Sequence, residues 1–268
     1  MGKRRILRAK GPSMGMATTR EVVPREIRAG RYRLFYCESG MGAPLIMVHG
    51  LGASSRWWFP LFPGLTSANF RVLAPDLPGF GRSPGPALDI ERGARAVVSL
   101  ADQLGLGQFF LCGHSMGGTV AAQVAADHPG RVRRLALVDS AGIPGTGPFV
   151  VLGRLAQPWT WCPPSFYSTL LGDALRAGPG TMLRGMRELR RHDIRPVLRR
   201  LRIPTLVIWG ERDTLTPPEH AHMMLAELAQ GRLEFVAGVR HLPMISDART
   251  TGRLMIDFFK EDLKRRKG

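Results

Sequence analysis

Three cysteines, five lysines beside 33 arginines, and no apolar run long enough to cross a bilayer are the scarcities of this 268-residue chain. Each closes off a class of protein. Cys37, Cys112 and Cys162 are too few and too irregularly spaced for a disulfide framework or a zinc cluster. Cys112 ends an apolar run and reads as a small buried hydrophobe. Without a membrane-length apolar segment there is no candidate membrane span. The opening "MGKRRILRAKGPSMG" is basic but lacks the apolar stretch of a secretory signal, so the expected compartment is the cytoplasm. The net charge of +17 raises the question of nucleic acid. Yet the chain has neither paired Cys/His spacing nor an aromatic stacking motif, so no nucleic-acid module is expected.

What is present is a globular composition with an uneven charge. With 44% hydrophobic residues, a chain of this length buries a sizeable core as one large domain. Residues 1–33 carry ten Lys/Arg against two acids, residues 143–203 ten against three, and residues 249–268 seven against three. The rest is nearly neutral. The excess of arginine over lysine looks as much like a coding bias as a binding surface.

Short β-rich runs alternate with helical patterns. "RYRLFYCE" (31–38), "PLIMVH" (44–49), "FRVLAPD" (70–76), "QFFLCG" (108–113), "RLALVDS" (134–140), "PTLVIWG" (204–210) and "RLEFVAG" (232–238) read as strands. Several are continuously apolar, as parallel strands covered on both faces should be. Helical spacing marks 89–104 behind Asp89 as N-cap, then 116–127, 218–229 and 247–264. The alternation predicts an α/β fold with a mostly parallel sheet. Between Gly142 and Arg202 the rhythm fails: helical pieces around 165–171, 180–191 and 193–200 replace any strand. An interval this long is no plain crossover and reads as an inserted helical cap at 143–202. The core is then 28–142 and 203–268, with 1–27 a basic N-terminal extension.

The stretch "FLCGHSMGGTV" places Ser115 between Gly113 and Gly117, after a strand and before a helix. A serine on so sharp a turn needs small residues two before and two after it, and its hydroxyl then projects at a helix N-terminus, where negative charge is favoured. Here the chain resembles the α/β-hydrolase superfamily, over about residues 28–260. The resemblance implies a nucleophile followed in order by an acid and a histidine. "WGERDTLTPP" supplies Asp213 and "VRHLPMIS" supplies His241, each just past a late strand. His241 would be the general base on Ser115, and Asp213 would hold its tautomer. Asp139, at the end of "LALVDS", is a rival acid.

"VHGLGASSRWW" (48–58) looks like the family's oxyanion loop. The backbone N–H groups of Leu51 and Met116 would then bind the oxyanion, each typically worth about 3 kcal/mol. His49 reads as shaping that loop with Gly50, while Trp57, Trp58 and Leu242 are candidates to line a pocket. "DLPGFGRS" (76–83) contains G-x-G but no helix start, and reads as structural rather than phosphate-binding.

A serine at the elbow argues against the superfamily's dehalogenases and epoxide hydrolases, which use aspartate there. Its carbon–carbon bond hydrolases usually carry Asn before the nucleophile and Trp after the late histidine, where this chain has His114 and Leu242. The expectation is a cofactor-free, metal-free serine hydrolase of a carboxylic ester, with a small-molecule ester or acyl substrate. C–C hydrolysis and perhydrolysis on the same triad are the alternatives, and a non-catalytic ligand-binding member of the fold is the reading of another class. "HLPMIS" and "DLPGFGRS" also resemble carboxylesterases that act on carrier-bound acyl chains. An acidic acyl carrier is therefore a candidate partner for the Arg-rich helix around Arg184, Arg187 and Arg191, whose Leu183, Met186 and Leu189 should turn inward.

Overall fold

A computed structural model of the chain describes residues 21–144 and 162–265. The "GIPGTGP" and "QPWTWC" stretches therefore lie mostly, and the first twenty residues wholly, outside the described residues. Eight strands form one sheet: β1 Val23–Ala29, β2 Tyr32–Ser39, β3 Ala43–Val48, β4 Phe70–Pro75, β5 Phe109–His114, β6 Val132–Val138, β7 Thr205–Gly210 and β8 Gly231–Val236. Their order is β1-β2-β4-β3-β5-β6-β7-β8. The β1–β2 and β2–β4 pairs are antiparallel and all others are parallel.

Continuous apolarity explains the central strands. In β5 every residue is buried, and its side chains alternate between two cores, Phe109 and Leu111 on one face, Phe110 and Cys112 on the other. The first face is covered by α2 (Ile90–Gln103), α3 (Met116–Asp127), α5 (Arg195–Arg200) and α6 (Glu219–Ala226). The second is covered by a 3₁₀ segment at Ser55–Leu61, by α1 (Phe62–Ser67), by α7 (Pro243–Ser246) and by α8 (Ala248–Arg265). Asp89 caps α2 as its sequence suggests, its carboxylate accepting from the Arg92 N–H at 2.7 Å. The remaining helix, α4 (Tyr167–Arg191), lies with α5 between β6 and β7.

Crossovers run one way from β3 to β4 and the other way from β4 to β5, so strand order reverses between the adjacent β3 and β5. The carboxyl ends there flank a crevice, the usual ligand position of an open α/β sheet. Leu51 follows β3 and Ser115 follows β5 at this point.

Three expectations need correction. Residues 23–27, assigned above to the N-terminal extension, are part of β1, paired from Val23↔Glu38 to Ala29↔Tyr32. The strand is hard to see because it is an edge: most of it is exposed, it contains Pro24, and its charged residues leave no alternation. The helical pieces near 165–171 and 180–191 form one run interrupted at Gly178 (φ 73°, ψ 162°), where the following Pro179 disfavours helical backbone. Leu183, expected to face inward, is 55% exposed. The covered line of α4 instead runs through Met182, Gly185, Met186 and Leu189. An ideal Cβ on Gly185 would come within 2.3 Å of Leu51 Cδ1, so glycine allows the helix to close on the loop after β3.

Candidate active site

Ser115 sits where β5 becomes α3, with φ 52° and ψ −121°, a strained conformation for a residue with a Cβ. Its N–H donates to the Val138 carbonyl, and its own carbonyl accepts from Gly118 and Ala141, so the turn is tied on both sides. The flanking glycines are steric requirements. A Cβ on Gly113 would fall 2.2 Å from the Gly117 carbonyl oxygen, and one on Gly117 would fall 2.3 Å from that of Val48. The latter contact brings the start of α3 against the end of β3.

Two turns beyond neighbouring strands carry the other polar groups. Asp213 follows β7 and is buried, with Oδ1 accepting from the N–H groups of Leu215 (2.7 Å) and Thr216 (3.0 Å). Its Oδ2 accepts from the Thr216 hydroxyl and from His241 Nδ1, the latter at 2.7 Å. Burial alone would raise the Asp213 carboxyl, but the His241 charge and these hydrogen bonds outweigh it and hold the group below its ordinary value. His241 is likewise buried. With Nδ1–H committed to Asp213, Nε2 is the nitrogen that carries the basic lone pair.

His114 couples this pair to the serine turn. Its Nε2–H donates to the His241 carbonyl at 2.9 Å, and the two imidazole rings lie 4.8 Å apart. Burial first, then the neighbouring His241, push the His114 ring well below its ordinary pKa, so it is a neutral donor. The expected general base, His241, therefore lies against His114, the residue that precedes Ser115. Asp139, the rival acid, follows β6 and bonds to the Gly210 N–H at 2.9 Å. The acid hydrogen-bonded to His241 is Asp213.

The loop after β3 is fixed from below. His49 Nε2 accepts from the Leu77 N–H at 2.9 Å, and Nδ1–H donates to the Gly50 carbonyl at 2.8 Å, so this ring shapes backbone. Burial lowers its pKa. Asp76 adds a second tie, taking the N–H of Ser55 (2.6 Å) and of Arg82 (2.7 Å). The "DLPGFGRS" turn is thus built around a carboxylate. Gly50 touches the serine: a Cβ there would lie 3.0 Å from Ser115 Cβ. Met116 is the first residue of α3, so its N–H has no partner within the helix. Leu51 and Met116 both lie under α4, with the would-be Gly185 Cβ 3.8 Å from Met116 Sδ.

Trp57 and Trp58 are buried, with rings 6.1 and 6.4 Å from that of His114. Trp57 Nε1–H donates to Asp173 of α4 at 2.9 Å. Leu242 is fully buried in the apolar cluster of the α8 face. Two residues, Thr216 and Asp173, and the structural part played by His114 escaped notice in the sequence. Thr216 offered a weak signal, a hydroxyl three residues after the acid. Asp173 and the bond of His114 to His241 offered none, because the partners lie more than a hundred residues away in the chain. All three cysteines are free and buried, and burial pushes the Cys162 thiol up to about 12. Among the described residues, no helix is long and apolar enough to cross a membrane.

A family model described as alpha/beta hydrolase fold matches residues 43–183. The chain is 27% identical to the 2-hydroxy-6-oxo-6-phenylhexa-2,4-dienoate hydrolase of Burkholderia cepacia, over 90% of this chain and 96% of that protein. It is 30% identical to the 2-hydroxymuconate semialdehyde hydrolase of Pseudomonas sp. (strain CF600), over 89% of this chain and 94% of that one. Among solved structures, a thermophilic esterase from Thermogutta terrifontis is similar with a TM-score of 0.77 and 25% identity, covering 90% and 99% of the two chains.

Proposed function

Since the chain belongs to the alpha/beta hydrolase fold family, we propose that it is a serine hydrolase of a carboxylic ester, with Ser115 as nucleophile, His241 as base and Asp213 as orienting acid. The observation that carries this is the buried 2.7 Å bond from His241 Nδ1 to Asp213 Oδ2, joined through His114 to the strained Ser115 turn.

In the forward step His241 Nε2 takes the Ser115 proton as Oγ bonds to the ester carbonyl carbon. The carbonyl oxygen becomes an oxyanion, received by the N–H groups of Leu51 and Met116. Collapse breaks the C–O bond to the alcohol, which leaves with the proton from His241. Water then adds to the acyl-enzyme, giving its proton to His241, and the acid departs as Ser115 recovers its own. The helices α4 and α5 form the cap over this crevice in our reading, with α4 resting on Leu51 and Met116.

A second reading has its own support. The dienoate relative's substrate, by its name, is a ketone and enol carboxylate with no ester, so its hydrolysis must break a carbon–carbon bond. The same three residues are the candidate machinery for that reaction. His114 before the serine and Leu242 after the histidine favour the ester. The test is a fluorophosphonate probe, followed by turnover of p-nitrophenyl esters, thioesters, lactones and a ring-cleavage dienone. Labelling that Ser115→Ala abolishes, with ester turnover above dienone turnover, is the expected outcome. Faster dienone turnover moves the reaction to C–C cleavage, and absence of labelling moves the protein to a binding role.

A further inference from the structure

Behind the His241–Asp213 pair stands a second buried acid that the reaction above does not use. Asp139 is fully buried at the end of β6. Its backbone has φ 40°, a left-handed conformation that a non-glycine residue adopts at a cost. One carboxyl oxygen, Oδ1, accepts the Gly210 N–H. The other, Oδ2, is buried with no hydrogen-bond partner among the described residues, unless a proton joins it to its neighbour. That neighbour is Asp213: the side-chain ligand atoms of Asp139, Asp213 and His241 all lie within 4.8 Å of one another.

Two buried carboxylates this close cannot both keep a charge, because each desolvates and repels the other. The pair therefore holds one proton, and the donors around each acid decide where it stays. Asp213 receives two backbone N–H groups, the Thr216 hydroxyl and the His241 imidazole. Asp139 receives one backbone N–H. The charge belongs on the better-solvated acid and the proton on the other.

We propose that Asp139 is a neutral carboxylic acid whose O–H donates to the Asp213 carboxylate, making it a positioning residue that fixes the triad acid from behind. The proposal rests on Asp213 as the orienting acid. It also removes the difficulty of the orphan oxygen, since Oδ2 becomes a donor facing an acceptor. The direction of titration agrees: burial, and then the Asp213 charge, push Asp139 well above its ordinary value.

Infrared spectroscopy of the intact protein at neutral pH reads the proton without any assay. The expected result is a protonated-carboxyl C=O band that shifts in heavy water and disappears in Asp139→Asn. No such band, or a band that survives in this variant, overturns the proposal. Kinetics reads the positioning. Asn tolerates left-handed backbone and its amide N–H can replace the lost O–H, so Asp139→Asn should keep kcat within about threefold of the parent, less than one neutral hydrogen bond is worth. Asp139→Ala leaves Asp213 short of a donor and should lower kcat by about 10- to 100-fold, the value of a hydrogen bond to a charged group, with KM little changed. Wild-type kcat in a folded Asp139→Ala protein would also overturn it. If that variant fails to fold, the infrared comparison of Asp139→Asn still decides. Failure of the triad reading itself looks different: Asp213→Asn would then keep full activity whatever the infrared band shows.

Discussion

The carboxyl edge of β5 to β8 and the helical interval between β6 and β7 are built on opposite plans. At the strand edge, Asp139, Asp213, His114 and His241 are all at most 3% exposed, and both Asp213 oxygens, His241 Nδ1 and His114 Nε2 meet named partners. Along α4, by contrast, Leu171, Leu175 and Leu183 are 61%, 72% and 55% exposed and the helix breaks at Gly178. The edge is held by short backbone ties from adjacent strands, while among the described residues α4 is tied to the rest of the chain through side chains such as Asp173 and Glu188. One of those is buried: Asp173, which accepts from Ser54 Oγ (2.7 Å), Trp57 Nε1 (2.9 Å) and Arg56 (3.3 Å). A packed polar edge beside a helix with exposed leucines matches the division we propose, in which the edge holds the chemistry and the helix varies with the substrate.

The comparison is sharpest at the edge. Replacing Ser115 or His241 by Ala should lower kcat by about 10⁴-fold or more while leaving the fold intact, since removing a triad member leaves only binding and oxyanion stabilisation. Steady-state kinetics beside a denaturation curve checks this, and retained activity in either variant would break the assignment. Asp213→Asn should cost about 10³- to 10⁴-fold by disturbing the His241 tautomer. Asp139→Asn should cost almost nothing, and the opposite pattern would make Asp139 the orienting acid.

This contrast also governs how much could be read beforehand. Ser115 is legible from the G-x-S-x-G turn after the apolar β5, and Asp213 and His241 from their places after β7 and β8 in the order that the family resemblance implies. The hydrogen bond of His114 to the His241 carbonyl is not legible, because it joins residues 127 positions apart. Strand β1 stayed hidden because an exposed edge strand with a proline carries no alternation. On α4 the buried face was misjudged by one residue: the helix meets Leu51 at Gly185, a residue no hydrophobic pattern can mark.

The seam between the two regions makes the next test. Asp173→Ala strands the Ser54 and Trp57 donors and should destabilise the protein by about 2–4 kcal/mol, the range for breaking a buried charged contact. Urea unfolding measures it. A change under about 0.5 kcal/mol would mean that α4 is anchored elsewhere. Acid should act on the edge in turn. His49 and His114 titrate below their ordinary value because burial disfavours the charged ring. Between that lowered value and about 6.5 the unfolded chain binds more protons, so stability is full near pH 7 and falls as pH drops through this window. The slope contributed is about 1.4 kcal/mol per pH unit for each histidine, and His114→Gln, which keeps a donor toward the His241 carbonyl, should flatten it. An unchanged slope would show that His114 takes a proton in the folded protein.

The smallest effect belongs to the outer face of the cover. Arg184, Arg187 and Arg191 are exposed, whereas Glu188 is partly buried and turns toward α2, its Oε1 3.4 Å from the Ile90 N–H. The nearest acid on this helix therefore leaves the arginine face uncompensated. If this face takes part in recognition, as we propose, an anionic or carrier-bound ester would feel it, while a small neutral ester would not. Exposed charges act over about 8 Å at physiological salt and about 3 Å at 1 M, so kcat/KM for the anionic substrate should fall as salt rises. Replacing the three arginines by Gln should reproduce that loss, each contributing about fivefold or less, as exposed charges do. A salt response equal for neutral and anionic esters would leave the arginine face as solvated surface, and the contrast between edge and cover would then rest on the edge alone.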